Sequence, residues 1–103
     1  MRPVAFLLLC SLSVGVGCGS SRAAEVGALT GDAVAGAAVF AANCASCHGA
    51  DGGGGSGPTL AGAGIDVDSV IAIVLSGEGN MPAFDGTLAD QDIADVSAFA
   101  TSM

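Results

Sequence analysis

The chain has 103 residues, 51% of them hydrophobic, with four cysteines, one histidine, no tryptophan or tyrosine, and a formal net charge of −8. That length allows one domain at most. Arg2 and Arg22 are the only Lys or Arg residues, so nucleic-acid binding, which depends on neutralising phosphates with such cations, is excluded. Toward a protein partner, the acidic field predicts attraction to a basic docking face and salt-sensitive association.

In chain order, Met1-Arg2, an apolar run from Val4 to Leu12 and then small residues predict an export signal over residues 1–17. The run falls short of the about 20 apolar residues of a spanning helix. Gly15-Val16-Gly17-Cys18 reads as a lipoprotein processing site, with cleavage before Cys18 and diacylation of its sulfur. This reading is favoured over the small-x-small site at Ser21-Arg22-Ala23. The Gly, Ser and Ala of residues 18–31 show little periodicity and predict a flexible tether. A single domain is expected over residues 32–103.

Asp32 is a candidate N-cap for a helix from Ala33 to about Cys44, since its carboxylate can accept from first-turn amides at the positive end of the dipole. Gly36, Val39 and Phe40 then fall at helical spacing. A glycine inside a helix costs about 1 kcal/mol relative to alanine, so a close helix crossing is expected at Gly36.

The stretch Cys44-Ala-Ser-Cys47-His48 supplies two thiols and an imidazole together. This spacing marks covalent haem attachment. On one helical face Cys44 and Cys47 reach two neighbouring vinyl groups, and His48 can swing beneath the ring as an axial ligand. A redox disulfide would want a βαβ surround, which is not seen here. Structural zinc needs four ligands, but His48 is the sole histidine and the other cysteines, Cys10 and Cys18, lie in the leader. The glycine run from Gly49 to Gly57 lacks the Lys-Ser/Thr ending of a phosphate loop. Its expected work is to let backbone approach the edge of the porphyrin where a side chain would collide. Pro58 offers a carbonyl as acceptor for the second imidazole nitrogen of His48, which would fix its tautomer.

Asp66 opens a second predicted helix, with Val67, Val70, Ile71, Val74 and Leu75 as its apolar stripe and Gly77 as its stop. A loop over 76–80 then delivers Met81-Pro82-Ala83-Phe84. Methionine usually fills gaps in a core, but Met81 stands in a loop beside a rigidifying proline. With no lysine and no second histidine in the chain, it is the candidate for the other axial position, and a Met/His pair raises the potential. The last helix is expected from Asp90 to about Ser102, with Ile93, Val96, Phe99, Ala100 and Met103 on one side and Asp90 and Asp92 at its electropositive start.

Taken together, Cys44-Ala-Ser-Cys47-His48, Gly57-Pro58-x-Leu60 and Asn80-Met81-Pro82-x-Phe84 resemble the small class I c-type cytochromes over residues 32–103. The resemblance implies an all-α cytochrome c fold of three main helices, the first and last crossing with a glycine against an aromatic residue. Gly36 or its neighbour Phe40, and Phe99, match those positions. It also implies one covalent haem c with its iron, His48 and Met81 as axial ligands, Pro58 and Leu60 in the haem pocket, and Phe84 packed on the haem. Phe99 stands where Tyr or Trp is usual. Ala89 stands where a Ser or Thr cap is common, so the last helix should begin at Asp90.

The implied function is single-electron transfer between redox proteins, not enzymatic turnover, by a monomer in the bacterial periplasm, lipid-anchored through Cys18. A domain of about 70 residues buries too little to be secure without a staple, and a bound haem would serve as its core. A haem sensor or peroxidase-like site, with Met81 dissociating, is the alternative. It would lack an acid-base partner, because the Met81 loop holds no His, Arg or Lys. A structural lipoprotein without iron is a third class.

Overall fold

The computed structural model describes residues 18–103, with side chains described from Arg22 onward. The expected export signal over 1–17 lies outside the described residues. Among these the chain forms helices α1 (Cys18–Gly27), α2 (Ala33–Asn43), α3 (Ala45–His48), α4 (Val67–Ser76) and α5 (Asp90–Thr101). No strand occurs among them, only the isolated bridges Glu78–Met81 and Asp85–Leu88. None of the described helices is long and apolar enough to cross a membrane.

Helix boundaries fall where capping groups and glycine put them. The Asp32 carboxylate accepts from the Val34 amide at 2.9 Å and the Ala35 amide at 3.4 Å, which caps α2. Asp66 does the same for α4, accepting from the Ser69 amide at 3.1 Å and the Ser69 hydroxyl at 2.8 Å. These bonds hold its carboxyl below the usual carboxylate range. Gly77, with φ of 76°, ends α4 in a conformation that side chains disfavour. Ala89 gives α5 no side-chain cap, and that helix begins at Asp90 as expected.

The crossing of α2 and α5 forms the base of the molecule. A Cβ at Gly36 would run into the carbonyl of Asp95 and lie 2.9 Å from Cβ of Phe99, so only glycine lets these helices approach. Beside it the Phe40 and Phe99 rings sit with centroids 5.4 Å apart and planes tilted by 59°, a favourable edge-type arrangement. The Asp95 carboxylate, nearly buried, accepts from the Asp32 amide at 2.8 Å and from Nε2 of Gln91 at 2.8 Å. It thereby ties the start of α2 to α5. No composition or spacing rule had singled out Asp95.

Packing of α4 on α5 through Ile71, Val74, Leu75, Ile93 and Ala94 makes the core. The predicted stripes are only partly buried there. Val67 is 42% exposed, and Val70, Val96, Ala100 and Met103 line a cavity instead. Half-burial of Ala100 and Met103 follows from facing that space.

The flexible tether expected over 18–31 is corrected by the structure. Residues Cys18–Gly27 are helical, and Val26 is fully buried in the same core as Val74 and Phe84. A helix of this length is marginal in isolation, and its stability comes from contacts far away in sequence. Arg22 pairs with Asp85 and Asp90. The connection to α2 is likewise fixed, since Gln91 donates to the Thr30 carbonyl at 3.0 Å and a Cβ at Gly31 would collide with the carbonyl of Ala94.

Candidate functional site

A cavity of about 520 Å3 lies among α2, α3, the 56–65 loop, α4, the 78–84 loop and the C-terminal half of α5. Its lining includes Cys44, Cys47, His48, Leu60, Met81 and Phe84, together with Pro58. Every haem-site residue expected from the sequence is thus brought to one space; the side chain of Cys18, the expected lipidation site, lies outside the described set.

The histidine side is built almost wholly from nearby main chain. Cys44 joins α2 to α3, and the loop that follows folds back, so that Gly54 N–H donates to the His48 carbonyl at 2.7 Å and Gly57 N–H to the Cys47 carbonyl at 2.8 Å. This delivers the Pro58 carbonyl to 2.9 Å from Nδ1 of His48. Only a protonated Nδ1 can make that bond, so in the neutral imidazole Nε2 keeps its lone pair. His48 is 9% exposed. A Cβ on Gly57 would lie 3.0 Å from Cε1 and 3.1 Å from Nδ1 of His48. The close glycine approach expected at the porphyrin edge is therefore seen at the imidazole.

Cys44 is half-buried and Cys47 exposed, and both are free thiols. Burial pushes the Cys44 thiol up, and the neighbouring Cys47 adds to it. Among the described residues no group of three or more His, Cys, Asp and Glu gathers at metal-binding range.

On the methionine side, Glu78 and Met81 exchange backbone hydrogen bonds of 3.1 and 2.9 Å in a tight turn. A Cβ on Gly77 would lie 2.6 Å from the Met81 carbonyl, so the glycine also lets this turn close. Phe84 N–H donates to the Val74 carbonyl at 2.9 Å, and its ring is buried in the core against which the half-buried Met81 packs. The sequence reading missed Arg22, which reaches this loop from α1. Its signal was available: one cation after the leader among ten acidic residues.

Paired thiols, an oriented imidazole and a loop methionine around one apolar cavity define a small monohaem class I c-type cytochrome, and the chain belongs to that family. The family profile described as "Cytochrome C oxidase, cbb3-type, subunit III" matches residues 31–99. The chain is similar to cytochrome c6 of the cyanobacterium Leptolyngbya boryana, 43% identical over 75 residues that cover 66% of this chain and 88% of that one. It is 44% identical to cytochrome c6 of Picosynechococcus over 87 residues, covering 70% of this chain and 74% of that one. The solved structure of cytochrome c6 from the diatom Phaeodactylum tricornutum superposes with a TM-score of 0.59 at 38% identity, covering 70% of this chain and 93% of that chain.

The protein accordingly carries one covalently bound haem c with its iron, and it is an electron-transfer protein, not an enzyme. The residues present fit that group. Two unbridged thiols three positions apart border the cavity, the imidazole keeps one nitrogen free, and the walls are otherwise mainly apolar, with Glu78 the single carboxylate among the lining residues.

Proposed function

We propose that the protein is an exported single-electron carrier in which Cys44 and Cys47 hold the haem as thioethers and His48 Nε2 and Met81 Sδ are the two axial ligands of its iron. The observation that carries this reading is the Nδ1 bond of His48 to the Pro58 carbonyl, which commits one nitrogen and leaves the other to a cavity shared with Met81. When bound, the haem supplies a ferric–ferrous couple that accepts and returns one electron. The chain's own residues orient the ligands, with α2, α4 and α5 contributing mainly apolar walls. Leu60 and Phe84 contribute apolar surface to those walls, and the thioether of Met81 favours the reduced metal and raises the potential.

Partners are redox proteins that present a basic face to this acidic surface, and the carrier acts as a monomer. The leader over 1–17 directs export to the periplasm, and an acylated Cys18 anchors the protein to the membrane. In the oxidised holoprotein a sulfur-to-iron charge-transfer band is expected, and it should vanish in Met81→Ala while the haem stays covalently attached. Absence of the band from wild type overturns the ligand pair. Incorporation of labelled fatty acid, lost in Cys18→Ser, tests the anchor, and an unlabelled wild type overturns it.

A further inference from the structure

Arg22 stands before the span matched by the family profile, on a helix that contributes no residue to the lining of the cavity. Its guanidinium nevertheless makes five side-chain hydrogen bonds, more than any other side chain among the described residues. Nη2 donates to Asp85 Oδ1 at 2.9 Å and Nε to Asp85 Oδ2 at 3.4 Å. Nη2 also donates to Asp90 Oδ1 at 2.7 Å, while Nη1 donates to Asp90 Oδ2 at 3.2 Å and to Glu25 Oε1 at 2.6 Å. These contacts occupy all five N–H donors of the side chain. The two Asp forks are bidentate, the strong geometry for this pair of groups.

What the forks join is informative. Asp85 follows directly after Phe84, in the loop that carries Met81, and Asp90 is the first residue of α5. Four residues farther along α1, Val26 is fully buried against the same core as Phe84, with Met81 and Ala23 packed on that core's margin. The segment from Asp85 to Asp90 is thus held at both ends by one side chain, and Met81, which lines the cavity, lies four residues before it. Met81 offers iron only a neutral, weakly accepting thioether, so its retention as a ligand depends on how firmly its loop is held.

We infer that Arg22 is a positioning residue for Met81: α1 acts as a clamp, through Arg22 on Asp85 and Asp90, that keeps the methionine loop closed over the haem. The inference rests on the reading of Met81 as an axial ligand. The ion pairs are partly exposed, so the clamp weakens with salt.

The test is a titration of ferric holoprotein with imidazole, which competes with Met81 for iron, followed through loss of the sulfur-to-iron band. In Arg22→Gln the apparent association constant should rise about fivefold, the scale on which partly exposed ion pairs act. Arg22→Lys, which keeps the charge and loses the forks, should fall between. Added salt should raise the constant in wild type and leave Arg22→Gln nearly unchanged. Val26→Ala is the control for a merely structural role. It loosens α1 through the core without touching the forks, so imidazole affinity in Arg22→Gln should rise more than in a Val26→Ala protein of equal melting temperature. Should Arg22→Gln yield no holoprotein, Asp85→Asn, which weakens one fork and spares the other, should give a smaller rise in the same direction. If the wild-type band is present and the association constant in the fork variants stays within twofold of wild type, the clamp is overturned while the ligand reading stands. If the wild-type band is missing, the ligand reading falls first.

Discussion

The two sides of the cavity are built by different means. On the histidine side, the bonds that set the site run between residues ten or fewer positions apart: Gly54 to His48, Gly57 to Cys47, Pro58 to His48. On the methionine side, the Glu78–Met81 turn and the Phe84 to Val74 bond are local too, but placement also depends on burial of Phe84 in a core shared with Val26 and Ile93, and on Arg22, which lies 63 residues from Asp85 and 68 from Asp90. Contacts of high sequence separation are stable only once the chain between them is ordered. The methionine side should therefore be the first to open and the last to form.

The largest expected effect abolishes both sides together. A Cys44→Ala/Cys47→Ala protein should contain no covalent haem, lose native helix content and fall to proteolysis, as read by mass, circular dichroism and limited digestion. A compact, cooperative fold in that variant would show that the chain makes its own interior. Next, Gly36→Ala drives a Cβ into the Asp95 carbonyl at the α2–α5 crossing. It should destabilise holoprotein by about 1–3 kcal/mol, the usual scale of overpacking, measured by denaturant titration.

The contrast itself is tested by native-state hydrogen exchange. The amide of Phe84 should exchange faster than that of Gly57, because sub-global opening releases the less stable element first. Equal protection would erase the proposed difference between the two sides.

Acid should act on the methionine side through Asp90. Hydrogen bonds from Arg22 hold its carboxyl below the usual range, as Ser69 does for Asp66. A carboxyl lowered by folding stabilises the native state fully above its unfolded value, about 3.9. That contribution is lost as pH falls through the lower folded value. Denaturant stability should show no loss from these two groups on acidification to about pH 5, and a loss only below about pH 4, as unfolded-state and then folded-state carboxyls protonate. The part due to Asp90 should disappear in Arg22→Gln.

The smallest effect belongs to Pro58→Ala. The bond to His48 comes from a backbone carbonyl, which alanine retains, and the side chain is exposed. Stability should move by less than about 0.5 kcal/mol, with the imidazole resonances of the holoprotein nearly unshifted. Gly57→Ala should shift those resonances, since its Cβ would press on the ring.

The site was legible in the sequence to the extent that its chemistry is local. Cys44, Cys47 and His48 announce themselves through a spacing set by one helical turn, and Pro58 through the one group it offers. Asp32, Asp66 and Gly77 mark helix ends because capping needs a partner only two or three residues away. Gly36 was readable as a crossing from its cost in a helix, although the partner atom, the Asp95 carbonyl, was not. The stripes were readable as apolar faces, but periodicity does not distinguish protein neighbours from a cavity wall, and Val70, Val96 and Met103 line the cavity.

By itself, the sequence determined the candidate donor residues and the positions of α2, α4 and α5, because each depends on residue type and on neighbours within about one turn of backbone. Only the tertiary structure decided that residues 18–27 are a docked helix, that Gly57 is pressed against the imidazole, and that Arg22 pairs with Asp85 and Asp90. Those outcomes depend on which distant groups meet when the core assembles. A low-propensity, weakly patterned segment becomes helical when burial of Val26 and two carboxylate forks offset the entropy of ordering it.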